Sequence, residues 1–133
     1  MRAWIFGLFL AIGLVGAAAA QDQEIEGVIS DQIEAFKVDD FERAFTFAAP
    51  NIRGIFRTPE NFGVMVRRGY PMIWRPAEVD FLDLRQEQGQ FIQTVRIEDA
   101  AGTTHLFAYS MTETEDGWRI SGVQPLEAPG VNA

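Results

Sequence analysis

The residue of this chain best suited to acid–base chemistry is its single histidine, His105. An imidazole can take up and return a proton near neutral pH, as general acid–base catalysis requires. His105 alternates with Phe107 and Tyr109 along a predicted strand, so an imidazole and a phenol share one face. A base opposite a hydrogen-bond donor to a developing oxyanion is what an isomerase or a lyase needs.

Other residues can fill the same two roles. Asp80 and Asp83 on the first predicted strand are alternative bases, and Tyr70 is an alternative donor. A single histidine at a strand end is also typical of a residue without a catalytic role. We therefore assign no catalytic residue, and whether the protein is an enzyme stays open.

A group of arginines precedes the predicted sheet. The five, with Tyr70 and Trp74 among them, are Arg53, Arg57, Arg67, Arg68 and Arg75. Guanidinium groups bind carboxylates and phosphates and stack on planar rings, which favours a ligand site. The structural alternative is that they pair with Asp39, Asp40 and Glu42 or compensate helix ends. Our candidate ligand-binding residues are Tyr70, Trp74, Arg75, His105 and Tyr109.

Composition argues against several other functions. The net charge of −8 disfavours binding to nucleic acid, which relies on basic residues. With no cysteine and one histidine, a zinc site would need carboxylates almost alone, and zinc seldom accepts such a set. The acidic turn at residues 113–116 lacks the spaced ligands of a calcium loop. We expect neither a metal nor a cofactor.

Residues 1–20 have the pattern of an export signal. Arg2 is followed by an apolar run from Trp4 to Val15 and by small residues at 17–20, with Gln21 as the expected mature start. An uncleaved membrane anchor is the alternative. Cleavage implies a periplasmic or secreted protein with no stable membrane insertion. The 113 residues from 21 to 133 suit a single domain.

The spacing of apolar residues changes along this domain. A period near 3.6 predicts helices at 24–38 and 41–49, a short turn placing Ile52, Ile55 and Phe56 inward, and a helix capped by Thr58 that closes at Gly69. Two prolines predict an extended connector at 70–76. From Glu78 a period near 2 predicts strands at 78–87, 90–98, 103–112 and 118–124, with a bulge at 82–84.

Helices followed by strands predict an α+β fold. We expect N-terminal helices packed on one face of a curved antiparallel sheet of about four strands, forming a cone with a pocket at its open end. In the fourth strand, Trp118 and Ile120 are expected on the face opposite Val123. The sheet is also a candidate homodimer surface.

Particular residue groups resemble a known family. They are Val28-Ile29 with Gln32, Ala35-Phe36, Asp39-Asp40, Ala44-Phe45, Phe47 to Pro50, Ile52-Arg53, Met65 to Tyr70, Trp74 to Pro76 and Trp118 to Gly122. With them the chain resembles the domain-of-unknown-function family 4864, small bacterial proteins of which many are exported. The resemblance covers nearly all of the mature chain. It implies a cystatin-like or nuclear-transport-factor-2-like fold and no established catalytic residue.

Two functions follow as hypotheses. The first is an exported module that binds a small molecule or a protein partner without catalysis. The second is a small isomerase or lyase whose general base lies in the cone pocket. The second hypothesis would fail if His105, Asp80 and Asp83 all lay outside any concavity.

Overall fold

The computed structural model describes residues 4–127, with side chains described from residue 19 onward. Within this stretch, helices come first and strands follow, which confirms the predicted α+β class. The helices are α1 (Trp4–Lys37), α2 (Phe41–Thr46), α3 (Pro50–Phe56), α4 (Pro59–Gly69) and α5 (Pro71–Trp74). The strands are β1 (Glu78–Glu87), β2 (Gln90–Glu98), β3 (Thr104–Thr114) and β4 (Gly117–Leu126).

The strands form one curved antiparallel sheet in the order β1-β2-β3-β4. Short turns join neighbours, and Gly102 and Gly117 adopt positive φ angles of 87° and 107° there, which glycine accepts without steric cost. The register of β1 against β2 shifts between Phe81 and Leu84, so the predicted bulge is confirmed.

The core lies between α1 and the concave face of the sheet. From α1 the buried apolar residues are Ile25, Ile29, Ile33, Ala35 and Phe36, and from the sheet they include Val95, Ile97, Phe107, Tyr109, Met111, Trp118 and Ile120. The apolar residues three and four apart in α1 and those two apart in β3 therefore pack into one interior, as predicted.

Phenylalanines hold the short helices on the end of α1. The Phe62 ring of α4 lies 5.9 Å from Phe36, 5.2 Å from Phe45 and 5.7 Å from Phe56, measured between centroids. Tilted and edge-on rings at such distances attract one another beyond the area they bury. Phe62 therefore joins α1, α2, α3 and α4 at one point.

The predicted helix over 41–49 ends earlier. α2 stops at Thr46, because the backbone of the residues that follow forms hydrogen bonds with β4. Ile120 N donates to Phe47 O at 2.9 Å, and Ala49 N donates to Ile120 O at 2.8 Å. Pro50 then starts α3 as its first residue, a position that needs no amide hydrogen.

The predicted extended connector at 70–76 is wrong. Pro71 opens the one-turn helix α5, since its fixed φ suits a first helical position, and the chain leaves the helix at Arg75 before Pro76. Within α5, Ile73 is buried and Met72 and Trp74 pack on the core. This connector therefore closes the core where helices give way to strands.

The predicted facing of Val123 is also wrong. The β3–β4 register shifts so that Met111 pairs with Ile120 and Tyr109 with Val123. Ser121 is the extra residue of this bulge, and the alternation reverses after it. Val123 consequently returns to the same inner face as Ile120.

α1 starts at Trp4, twenty positions before its predicted start at Glu24. It runs through the predicted export signal, whose residues 1–3 lie outside the described residues and whose side chains are described only at 19 and 20. Among the described residues, no helix combines the length and apolarity needed to cross a membrane. Cleavage before Gln21 stays a prediction.

Candidate functional site

A cavity of about 340 Å³ opens between the helices and the sheet. Its lining residues are Gln32 and Phe36 of α1, Ala48, Ile52, Ile55 and Phe56 around α3, Phe62, Met65, Val66, Tyr70 and Ile73 around α4 and α5, and Tyr109, Ile120, Gly122 and Val123 of the sheet. None of these described lining residues bears a charge. The cavity is therefore an apolar space with three polar side chains.

Helix α3 forms the outer wall of this cavity. None of its residues is buried, and Ile55 borders the cavity but is 67% exposed, so the prediction that Ile55 lies in the interior is wrong. Side-chain amides hold the helix at both ends: Asn51 Nδ2 donates to Ser121 O at 3.0 Å, and Asn61 Nδ2 donates to Phe56 O at 2.9 Å. α3 thus covers the cavity while two polar contacts join it to β4 and α4.

Tyr109 and Gln32 are two of the three polar side chains in the wall. The Tyr109 hydroxyl is buried and, among the described side chains, has no hydrogen-bond partner. Burial raises the pKa of this phenol well above its usual value of 10, and Tyr70 adds to the shift. Tyr109 therefore stays protonated, so it can donate a hydrogen bond but cannot act as a base. Gln32 Nε2 donates to Ala44 O at 3.2 Å.

Tyr70 is the other candidate residue at the cavity. It is half-buried between α4 and α5, and its ring lies 6.1 Å from that of Phe107. Tyr70 also borders a second concavity of about 370 Å³, formed with Met72 and with the ends of β3 and β4. The structure therefore places Tyr70 beside Tyr109 at the first cavity and beside His105 at the second.

Trp74 and Arg75 lie away from the cavity lining and secure the end of α1. Trp74 Nε1 and Arg75 Nη2 both donate to Asp39 Oδ1, at 2.9 and 3.0 Å, and Arg75 Nη1 donates to Phe36 O at 2.7 Å. Hydrogen bonds from Trp74 and then Arg75 hold the pKa of the Asp39 carboxyl below its usual value. Asp39 itself adopts a positive φ of 59°. These contacts support the structural alternative for Arg75.

His105 borders the second concavity and lies outside the lining of the first. Its Nε2 lies 2.8 Å from Asp99 Oδ2, while Asp99 Oδ1 accepts from the amides of Ala101 and Thr103 at 3.0 and 2.9 Å. The pair therefore ties the start of β3 to the β2–β3 turn. This contact gives His105 a structural role that requires no substrate.

The other candidate bases also lie outside the cavity lining. Asp80 Oδ2 accepts from Arg96 Nη1 at 2.6 Å, across β1 and β2, and Asp83 lies at the bulge, 3.7 Å from Arg85. Within residues 19–127, no group of three or more potential ligands (His, Cys, Asp or Glu) is placed to hold a metal ion.

Protonation of Asp99 should weaken the fold in acid. The hydrogen bond from His105, followed by those of the turn amides, lowers the pKa of Asp99 from its usual 3.8. A lowered folded-state pKa stabilises the fold above pH 3.8, and this contribution is lost as pH falls through the folded-state value. Asp99→Asn should therefore lose less stability than the wild type as pH falls below about 4, in urea unfolding at several pH values. Asp116→Asn, in the exposed β3–β4 turn, is the matched control; equal pH dependence in all three proteins would contradict the prediction.

Residues 18–133 match one family, described as Domain of unknown function (DUF4864). The chain belongs to this family. Because the match extends from just before the predicted mature start to the last residue, the family covers the helices from the second half of α1 and the whole sheet. A search of curated proteins finds no match to the chain.

The DUF4864 domain has site residues that the candidate list omits. Gln32 follows Ile29 by three positions and precedes Phe36 by four, so a polar side chain on the apolar stripe of α1 was a detectable signal. Val123 had no such signal, because the bulge that turns it inward depends on pairing with β3. Ile52 and Phe56 were expected inward, but not as the wall of a cavity.

Proposed function

We propose that this domain binds a small, largely apolar molecule in the cavity between its helices and its sheet. The observation that carries the proposal is the cavity itself, whose lining is apolar apart from the side chains of Gln32, Tyr70 and Tyr109. Ligand sites commonly combine such a wall with a few polar groups.

Size supports the same proposal. The cavity measures about 340 Å³, which lies within the range of about 300–1,000 Å³ typical of small-molecule sites. At roughly 30 Å³ per water-sized group, this volume accommodates on the order of ten carbon-sized groups. The cavity therefore suits a small molecule rather than a peptide segment.

The enzyme hypothesis has less support. No carboxylate or imidazole belongs to the described lining of the first cavity. His105 borders the second concavity together with Tyr70, but there its Nε2 lies 2.8 Å from Asp99 Oδ2. Asp80 and Asp83 lie beside Arg96 and Arg85. Tyr109 stays protonated near neutral pH because burial raises its pKa. A proton-transfer reaction in this cavity would need a base supplied by the ligand itself.

Filling the cavity should weaken binding. We expect the neutral probe phenylnaphthylamine to bind the full chain saturably, with a rise in fluorescence as it enters the apolar wall. Val123→Phe places a ring in the cavity and should weaken binding at least about tenfold. Gln124→Phe adds the same ring on the exposed outer face of β4 and should leave binding unchanged. Failure of the probe to bind, or equal affinity in both variants, would refute the proposal.

A further inference from the structure

We infer that the ligand is an anionic amphiphile: a single apolar chain inside the cavity with a carboxylate or phosphate head at the arginines of its outer wall. This inference rests on the proposed binding function and names the chemistry of its ligand. Its basis is the distribution of unpaired positive charge around α3 and α4.

The positive charge is concentrated beside the cavity. Residues 51–69 contain four arginines and one glutamate, whereas the whole chain has a net charge of −8. The ion pairs among the described residues involve Lys37, Arg75, Arg85, Arg96 and His105. Arg53, Arg57, Arg67 and Arg68 are exposed and take part in none of them. Four of the six arginines without an ion pair among the described residues thus lie on or beside the helices that form the cavity wall, and the other two are Arg43 of α2 and Arg119 of β4.

Three of these arginines flank the cavity lining. Arg53 follows Ile52 and Arg57 follows Phe56, and both Ile52 and Phe56 line the cavity. Arg68 lies on the same side of α4 as Met65 and Asn61, three and seven residues before it, because an α-helix repeats every 3.6 residues. Asn61 contacts the last carbonyl of α3, so this side of α4 faces α3. Arg67, by contrast, stacks over the Phe41 ring at 5.0 Å on the α2 side.

Two of the arginines flank the end of α3. Arg53 lies in its last turn, and Arg57 follows its last residue, Phe56, with a positive φ of 70°. Arg57 N donates to Arg53 O at 2.8 Å, which holds the two backbones close together. An anion bound between the guanidinium groups would form charge-assisted hydrogen bonds with both. The apolar lining and the neighbouring arginines therefore match the two ends of an amphiphile.

Competition against phenylnaphthylamine in the full chain tests this inference. Decanoate and decyl phosphate should displace the probe at concentrations at least about tenfold below those of decanol or methyl decanoate. Between the two anions, the tighter competitor identifies the preferred head group. Raising the ionic strength should weaken only the anions, because salt screens exposed charges.

Matched variants assign the effect to α3. Arg53→Gln/Arg57→Gln should weaken decanoate about tenfold and leave decanol unchanged. Arg85→Gln/Arg119→Gln removes the same charge from strands outside the cavity lining and should change neither affinity. Thermal unfolding checks that each variant folds. The salt dependence of anion binding to the wild type tests the charged head group without any variant.

Three outcomes would overturn the inference. Equal affinities for decanoate and decanol in the wild type would remove the anionic head from the ligand class, while continued probe binding would leave the proposed function intact. Equal losses for both ligands in Arg53→Gln/Arg57→Gln would show a structural effect. Binding to phosphatidylglycerol vesicles without binding to free decanoate would instead assign the arginines to a membrane surface.

Discussion

Replacing Phe62 by alanine should lower the free energy of unfolding by about 3–5 kcal/mol, the range for a large buried aromatic ring. Phe62 is 5% exposed and contacts the rings of Phe36, Phe45 and Phe56. Its loss removes both the buried area and the only described ring that touches all three partners. Urea-induced unfolding followed by circular dichroism measures the change.

Val64→Ala is the matched control for this substitution. Val64 lies two positions further along α4 and is 40% exposed, so its truncation should change the free energy of unfolding by about 0.5 kcal/mol or less. Phe62→Leu should recover part of the loss, since leucine fills part of the same space. If Phe62→Ala were as mild as Val64→Ala, the short helices would not be packed around this ring.

Replacing Gln93 by leucine should lower the free energy of unfolding by about 2–3 kcal/mol, although the side chain becomes more apolar. Gln93 is 1% exposed, and its Nε2 donates to the carbonyls of Leu82, Asp83 and Thr94 at 3.2, 3.2 and 3.0 Å. Two of these carbonyls belong to the β1 bulge, whose residues Leu82 and Asp83 have no partner residue in the register with β2. Leucine fills the space but offers no hydrogen, so the carbonyls lose their partner.

The effect of Gln93→Leu should also be local. Amide hydrogen exchange should accelerate in β1 around residues 81–84 more than in β3, because the bulge loses its side-chain support. Gln90→Leu, at the exposed start of β2, is the control and should alter neither stability nor exchange. An unchanged exchange pattern in Gln93→Leu would contradict the role assigned to this amide.

Elements that depend on local spacing were predictable from the sequence. Helix α4 has its bounds set by Thr58, whose side chain accepts from Asn61 N, and by Gly69 at its end. The bulge in β1 was visible because Leu82, Asp83 and Leu84 interrupt a two-residue period. Such features depend on near neighbours in the chain, so no knowledge of the rest of the fold was needed.

Elements that depend on distant partners were not predictable in this way. α2 ends at Thr46 because residues 47–49 pair with Ile120, more than seventy positions later. The bulge at Ser121 involves only one residue in a pattern that otherwise alternates, and its effect on Val123 arises from the register with β3. In the sequence, Gln93 cannot be distinguished from any other glutamine in a strand. Its role depends on the carbonyls of Leu82, Asp83 and Thr94, which only the fold places around its amide.

The candidate site likewise has features that the sequence predicts and features that depend on distant partners. The sequence alone determined an acidic, cysteine-free α+β chain, a member of DUF4864, with five arginines within residues 53–75. Only the tertiary structure placed Tyr70 and Tyr109 at one cavity, directed Trp74 and Arg75 to Asp39, and joined His105 to Asp99. The physical reason is that residue type sets what a side chain can donate or accept, whereas packing over long chain separations decides which partner it meets.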